Sequence, residues 1–173
     1  MSDGVRLRVK VEDKREESEE RRETPSTRSL EQRWGASVTG RGWTAVPNVL
    51  LEYQGRLRLK DQEVMVLLHL MRFWWEKDQI PYPSVATLAK NLGKDERSVR
   101  RILKRLEEHP YPQEEWGMTP GYLRRIGRKK ANGGQDSNQF NLLPLKRALE
   151  KLVEEENALR EERQKRQPNK PLR

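Results

Sequence analysis

Gly93 constrains this chain more than any other residue. It separates two short segments of helical periodicity: Val85, Leu88 and Ala89 before it, and Val99, Ile102, Leu103 and Leu106 after it. The second set falls at i, i+3, i+4 and i+7, which is one face of a helix. Ser84 and Asp95 precede the two segments as N-caps, because their side-chain oxygens can accept otherwise unpaired backbone N–H groups. Glycine stops the first segment, since it enters the left-handed conformation without a Cβ penalty. Two helices this short, set at an angle by a tight turn, cannot bury their stripes on each other alone. They need a third element to pack on.

That element is the segment 60–75, with Asp61 as N-cap, Glu63 in the first turn, and Val64, Leu67, Leu68, Met71 and Trp75 at helical spacing. It is apolar on most sides, which predicts a central place in the core. His69 lies on it with no cluster of ligating residues nearby and reads as a packed or surface histidine. The run 79–83, QIPYP, ends this helix through its prolines. Upstream, Trp34, Trp43, Val46, Val49, Leu50, Leu51 and Leu57 mark the start of packed structure, with Trp34 and Trp43 expected in the core or at its rim. Downstream, 108–120 reads as a proline-rich loop. Residues 121–126 and 138–142 read as paired strands around a glycine-rich basic tip. Pro144 opens a last helix. The expected fold class is mainly α (α+β): a three-helix core, a β-hairpin and a C-terminal helix. Its divisions are a disordered charged arm at 1–30, a domain at 31–145, and a charged helix with a frayed tail at 146–173.

Charge narrows the partners. Lys plus Arg number 36 against 27 Asp plus Glu, a net +9. In the arm, Arg6, Arg8, Lys10, Lys14, Arg15, Arg21, Arg22 and Arg28 balance Asp3, Glu12, Asp13, Glu16, Glu17, Glu19, Glu20 and Glu23. The excess therefore resides in the remainder, and it favours a polyanion. The chain has no cysteine, which rules out disulfides, thiol catalysis and cysteine-based zinc sites. The first residues lack the apolar core of a signal peptide, and the apolar run 64–75 is interrupted by His69 and Arg72 and is too short to span a bilayer. We expect a cytoplasmic protein with no membrane association. With two histidines, no phosphate-cradling glycine loop and no paired carboxylates in an apolar setting, we expect neither an enzyme nor a cofactor or metal.

A helix, a glycine turn and a second helix form a helix–turn–helix, whose second helix enters the major groove of duplex DNA. Val99, Ile102, Leu103 and Leu106 would hold that helix, 95–107, on the core. Arg97, Ser98, Arg100, Arg101, Lys104 and Arg105 would face outward. Arginine suits this position because its planar fork pairs with both acceptors on a guanine edge. Arg97, Ser98, Arg100 and Arg101, nearest the helix start, are candidates for base contacts, and Lys104 and Arg105 for phosphate. A solvated basic face is the bland alternative for this helix alone. The hairpin adds Arg124, Arg125, Arg128, Lys129 and Lys130 with no intervening acid, suited to the DNA backbone or minor groove. Ser84 and Thr87, at the start of the first helix, are phosphate candidates.

From residue 34 to about 153, roughly two-thirds of the chain, the sequence resembles the winged helix–turn–helix domains of bacteria and their phages and plasmids. The resemblance rests on "TAVPNVLLEYQGRLRLKDQEVMVLLHLMRFWW", "PSVATLAKNLGKDERSVRRILKRLE", "GYLRR" and "NQFNLLPLKRAL". It implies double-stranded DNA as partner, residues 95–107 as recognition helix and 121–142 as wing. The family includes transcription regulators and replication initiators, so the fold does not select the process. We expect a transcriptional regulator. A plasmid or phage replication initiator is the alternative, and a protein-interaction module on the same scaffold a further one. The long connection at 108–120, with Trp116, departs from the family pattern. In the last helix Leu145, Leu149, Leu152 and Leu159 approach a heptad seam interrupted by Glu156, which suggests a homodimer or packing on the domain. The arm is a candidate site for a protein partner.

Overall fold

The computed structural model describes residues 27–76, 79–128 and 138–166. The chain divides into two units, Met1–Trp43 and Thr44–Arg173.

In the first unit, α1 (Thr27–Trp34) begins inside the span read from sequence as an unstructured arm; the remainder of that span lies outside the described residues. Gly35, at φ 82°, breaks the helix before the single turn α2 (Ala36–Thr39). Trp34 and Trp43, expected in the core or at its rim, are 63% and 49% exposed and belong to neither the core nor the hydrophobics packed against it. Their size suggested burial, but among the described residues of this unit only Leu30 and Val38 are further large apolar side chains.

The second unit is built around α4 (Asp61–Met71), preceded by the short α3 (Asn48–Glu52). Val64, Val66, Leu67, Leu70 and Met71 of α4 are buried, as its sparse polarity predicted. The helix is shorter than 60–75. Phe73 and Trp74 donate to the Leu70 and Met71 carbonyls at 3.0 and 2.9 Å, a tightened i to i−3 turn that ends it. Trp75 falls beyond this end and is 65% exposed. Lys60, not Asp61, occupies the N-cap position. Its backbone N–H donates to the Glu63 carboxylate at 2.9 Å, while Asp61 accepts from the Gln54 amide.

Two helices pack across α4: α5 (Val85–Leu92) and α6 (Glu96–Glu107). Ser84 Oγ accepts the Thr87 N–H at 3.0 Å, and Asp95 Oδ1 accepts the Ser98 N–H at 2.8 Å. Gly93 sits at φ 61°, the left-handed stop its sequence position required. Leu88 and Ala89 of α5 and Val99, Ile102, Leu103 and Leu106 of α6 enter one core with α4. Each of the buried leucines, Ile102 and Val99 contributes roughly 2 kcal/mol by leaving water.

The connection 108–120 is not the loop expected. It holds α7 (Tyr111–Trp116), with Pro112 in its first turn, where a missing N–H costs nothing. Tyr111 is buried, its ring 5.2 Å from Trp116 in an edge-on contact. The excursion closes on itself: Gly121 N–H donates to the His109 carbonyl and Tyr122 N–H to the Leu106 carbonyl, both at 2.8 Å.

The chain then forms β1 (Arg124–Ile126) and β2 (Gln139–Asn141), an antiparallel hairpin with Arg125 opposite Phe140. The paired strands are shorter than the spans 121–126 and 138–142 read from sequence. Phe140 N–H donates to the Pro81 carbonyl at 2.7 Å, so the segment before α5 flanks the hairpin's second strand. Finally α8 (Leu143–Arg166) returns, burying Leu145, Ala148, Leu149 and Leu152. These leucines pack on their own domain, and only Leu159 of the proposed seam is exposed. Among the described residues no helix is long and apolar enough to cross a membrane.

Candidate nucleic-acid interface

The geometry of α6 follows from its numbering. Val99, Ile102, Leu103 and Leu106 are buried; Arg97, Arg100, Arg101 and Lys104 are exposed. The second set has the first set's spacing displaced by two residues. At about 100° per residue, that displacement carries it to the opposite side of the helix. The core stripe therefore dictates a basic outer stripe.

The cations differ in what holds them. Arg100 pairs with Glu96 one turn earlier, and Lys104 approaches Glu108 at 3.8 Å; all four side chains are solvent-exposed. Exposed pairs of this kind are weak, so a phosphate or base edge can displace them at little cost. Arg105 is different. Its Nε donates to Glu63 Oε1 at 2.9 Å, and Glu63 is only 2% exposed. Arg105 thus ties α6 to the start of α4 and stands apart from the outer stripe to which its type assigned it. Ser98 is half-buried, and its backbone N–H is used by the Asp95 cap. The hydrogen bonds from Ser98 hold the Asp95 carboxyl below its ordinary range.

At the start of α5, Thr87 is exposed and Ser84 half-buried, with their hydroxyls 2.9 Å apart. In the hairpin, Arg124 is exposed. Arg125 is half-buried and pairs with Glu107 at 2.7 Å, fastening the hairpin to the end of α6. The guanidinium of Arg128 lies 5.3 Å from the centre of the Tyr82 ring. Lys129 and Lys130 lie outside the described residues.

Three residues of this region gained their roles only from the fold: Glu63, as the buried partner of Arg105; Tyr82, beneath Arg128; and Gly121, where the chain re-enters. The sequence held a hint only for Tyr82, a large aromatic side chain isolated between two prolines.

Residues 57–111, from the turn before α4 to the start of α7, match a family model described as a helix–turn–helix domain. No curated protein matches the chain. Among solved structures, the chain is similar to one described as a possible transcriptional regulator from Methanosarcina mazei Go1, at 20% identity and a TM-score of 0.39, over 70% of this chain and 88% of that one. A superposition that loose carries no argument about function. The local pattern, the packing of α5 and α6 across α4, and the family match agree that residues 57–111 carry a helix–turn–helix domain.

Proposed function

We propose that this protein binds duplex DNA in a sequence-dependent way and acts as a transcriptional regulator. In this reading α6 lies in the major groove. Arg97, Arg100 and Arg101 reach base edges, Lys104 meets phosphate, and Ser98 borders the groove at the helix start. Ser84 and Thr87 meet phosphate at the start of α5. The hairpin is a wing, with Arg124, Arg128, Lys129 and Lys130 along the DNA backbone. Arg105 and Arg125 support the interface through Glu63 and Glu107 rather than touching DNA. The carrying observation is the exposed stripe Arg97, Arg100, Arg101 and Lys104 on the side of α6 opposite its buried leucines and valine. A helix so arranged offers bidentate guanidinium groups that discriminate guanine from other bases.

The test is selection of bound duplexes from a random pool, followed by titration of the selected duplex and a scrambled one at several salt concentrations. A reproducible motif, bound at least about a thousandfold more tightly than the scrambled duplex, is the expected result. Salt-sensitive binding without preference would reduce the reading to general nucleic-acid binding. No binding would overturn it. A motif found singly at promoters supports transcription control, whereas iterated copies at an origin would assign the same interface to replication.

A further inference from the structure

We propose that the unit Met1–Trp43 carries a site for single-stranded nucleic acid, in which the indoles of Trp34 and Trp43 stack on unpaired bases while Arg33 and Arg41 meet the phosphates of the same strand. The site is separate from the helix–turn–helix and does not rest on the duplex-binding reading above.

Trp34 and Trp43 keep about half or more of their surface in water. Large apolar side chains grouped in water mark a surface made to be covered. Both indoles project from hydrogen-bonded backbone. The Gly35 N–H, after Trp34, donates to the Glu31 carbonyl at 2.8 Å, and the Gly42 N–H, before Trp43, donates to the Thr39 carbonyl at 2.8 Å. A tryptophan on ordered backbone has only two side-chain torsions to fix, so little freedom is lost when a flat partner settles on it. Each indole also has an arginine close before it: Arg33 next to Trp34, and Arg41 two residues before Trp43. Both arginines are exposed.

Charge and chemistry select the partner. Among the described residues of this unit, Arg28, Arg33 and Arg41 outnumber the single acid Glu31, which favours an anion. A nucleic-acid strand offers flat base faces and phosphates in alternation, and an indole beside a guanidinium matches both. The strand must be unpaired, because in a duplex each base face is covered by its neighbours in the stack. An apolar groove on another protein asks instead for a continuous apolar stripe. Trp34 and Trp43 are separated by GASVTGRG, in which Val38 is the one large apolar side chain.

The experiment titrates the full chain with labelled oligothymidylate and oligouridylate of about 16 nucleotides across a salt series. The variants are Trp34→Phe, Trp34→Leu, Trp43→Leu, the Trp34→Leu/Trp43→Leu pair and the Arg33→Ala/Arg41→Ala pair, and the selected duplex is titrated alongside. Each single leucine variant is expected to bind the oligonucleotide at least about fivefold more weakly, the lower end of what stacking on one base contributes. Trp34→Phe, which keeps an aromatic face, is expected to recover most of the Trp34→Leu loss. The arginine pair is expected to lower the slope of log affinity against log salt by about 1.4, two phosphate contacts on a single strand. Affinity for the selected duplex is expected to be retained in the leucine variants, and the homopolymer bound more tightly identifies the sugar. Failure of the unaltered chain to bind either homopolymer overturns the proposal. Equal binding by the unaltered chain and the leucine pair does so too, and leaves the indoles to a protein partner. A Trp34→Phe variant as weak as Trp34→Leu removes stacking, and a parallel loss of duplex binding in the leucine variants removes the separate site.

Discussion

At the scale of residues, the decisive positions are those where one atom more or less changes the outcome. Gly121 has φ +88°, and a Cβ there would lie 2.1 Å from the Glu107 carbonyl oxygen. Both the backbone conformation and the close approach exclude a side chain. Gly121→Ala is expected to destabilise the protein by at least about 2 kcal/mol in chemical denaturation, because strain and clash add. On the outer stripe of α6 the proposed DNA-binding role places the expected effect on recognition. Arg100→Ala or Arg101→Ala is expected to cost about 1–3 kcal/mol of discrimination between selected and scrambled DNA, with thermal stability nearly unchanged. Equal losses on both duplexes would make these residues phosphate contacts. The Asp95 cap adds a pH dependence. Its folded pKa is depressed below 3.8 by the Ser98 hydrogen bonds. Its contribution is therefore complete above that value and is lost as pH falls through the lower folded value. The difference in melting temperature between the natural protein and Asp95→Asn, an uncharged cap, should shift against the natural protein on acidification below about pH 3.8.

At the scale of elements, Glu63 and Arg105 join the two helices that matter most. One carboxylate accepts the Lys60 N–H at the start of α4 through Oε2 and the Arg105 guanidinium of α6 through Oε1, each at 2.9 Å. The two halves of this pair are unequal: the Glu63 side chain is 3% exposed and that of Arg105 37%. Removing Arg105 strands a buried carboxylate, whereas removing Glu63 leaves a guanidinium that can reach water. Arg105→Met is accordingly expected to cost about 3 kcal/mol. Glu63→Gln, which keeps an acceptor for the Lys60 N–H, is expected to cost about half of that. Urea denaturation of both variants checks the order, and the reverse order would show that the cap outweighs the ion pair. The excursion through α7 belongs to this scale too. Trp116 Nε1–H donates to Glu155 of α8, and Arg56 pairs with the same carboxylate. The excursion leaves after Glu107 and returns at Gly121 against that same residue.

At the scale of the whole molecule, the two units differ in how far their sequences bury themselves. The unit Thr44–Arg173 has a continuous core, while Trp34, Val38 and Trp43 of Met1–Trp43 are each about half exposed or more. The basic groups proposed to meet duplex DNA all belong to the core-bearing unit. Within it, salt dependence reports how many cations engage. Each phosphate contact contributes about 0.9 to the slope. Lys129→Ala is expected to weaken selected and scrambled DNA alike and to flatten the slope by that amount. A slope equal to that of the unaltered chain would take this part of the wing out of the interface.

Periodicity and punctuation determined much of this protein. Gly93, Ser84 and Asp95, with the stripes beside them, specified two capped helices and the turn between them, because capping and left-handed geometry depend only on neighbours a few residues away. The same locality made the outer basic stripe of α6 legible. Tertiary structure decided what local pattern could not. Trp75 and Glu63 lie on one predicted helix, yet the tryptophan is exposed and the glutamate buried, because the ending of α4 and the approach of Arg105 depend on packing. The proline-rich connection became a helix because Tyr111 found the core, a contact that its own neighbours do not predict. Arg105 and Arg125 look like the arginines beside them in sequence. Only the placement of Glu63 and Glu107 makes them ion-paired ties between elements, since burial and ion pairing depend on which distant residues the fold brings within a few ångströms.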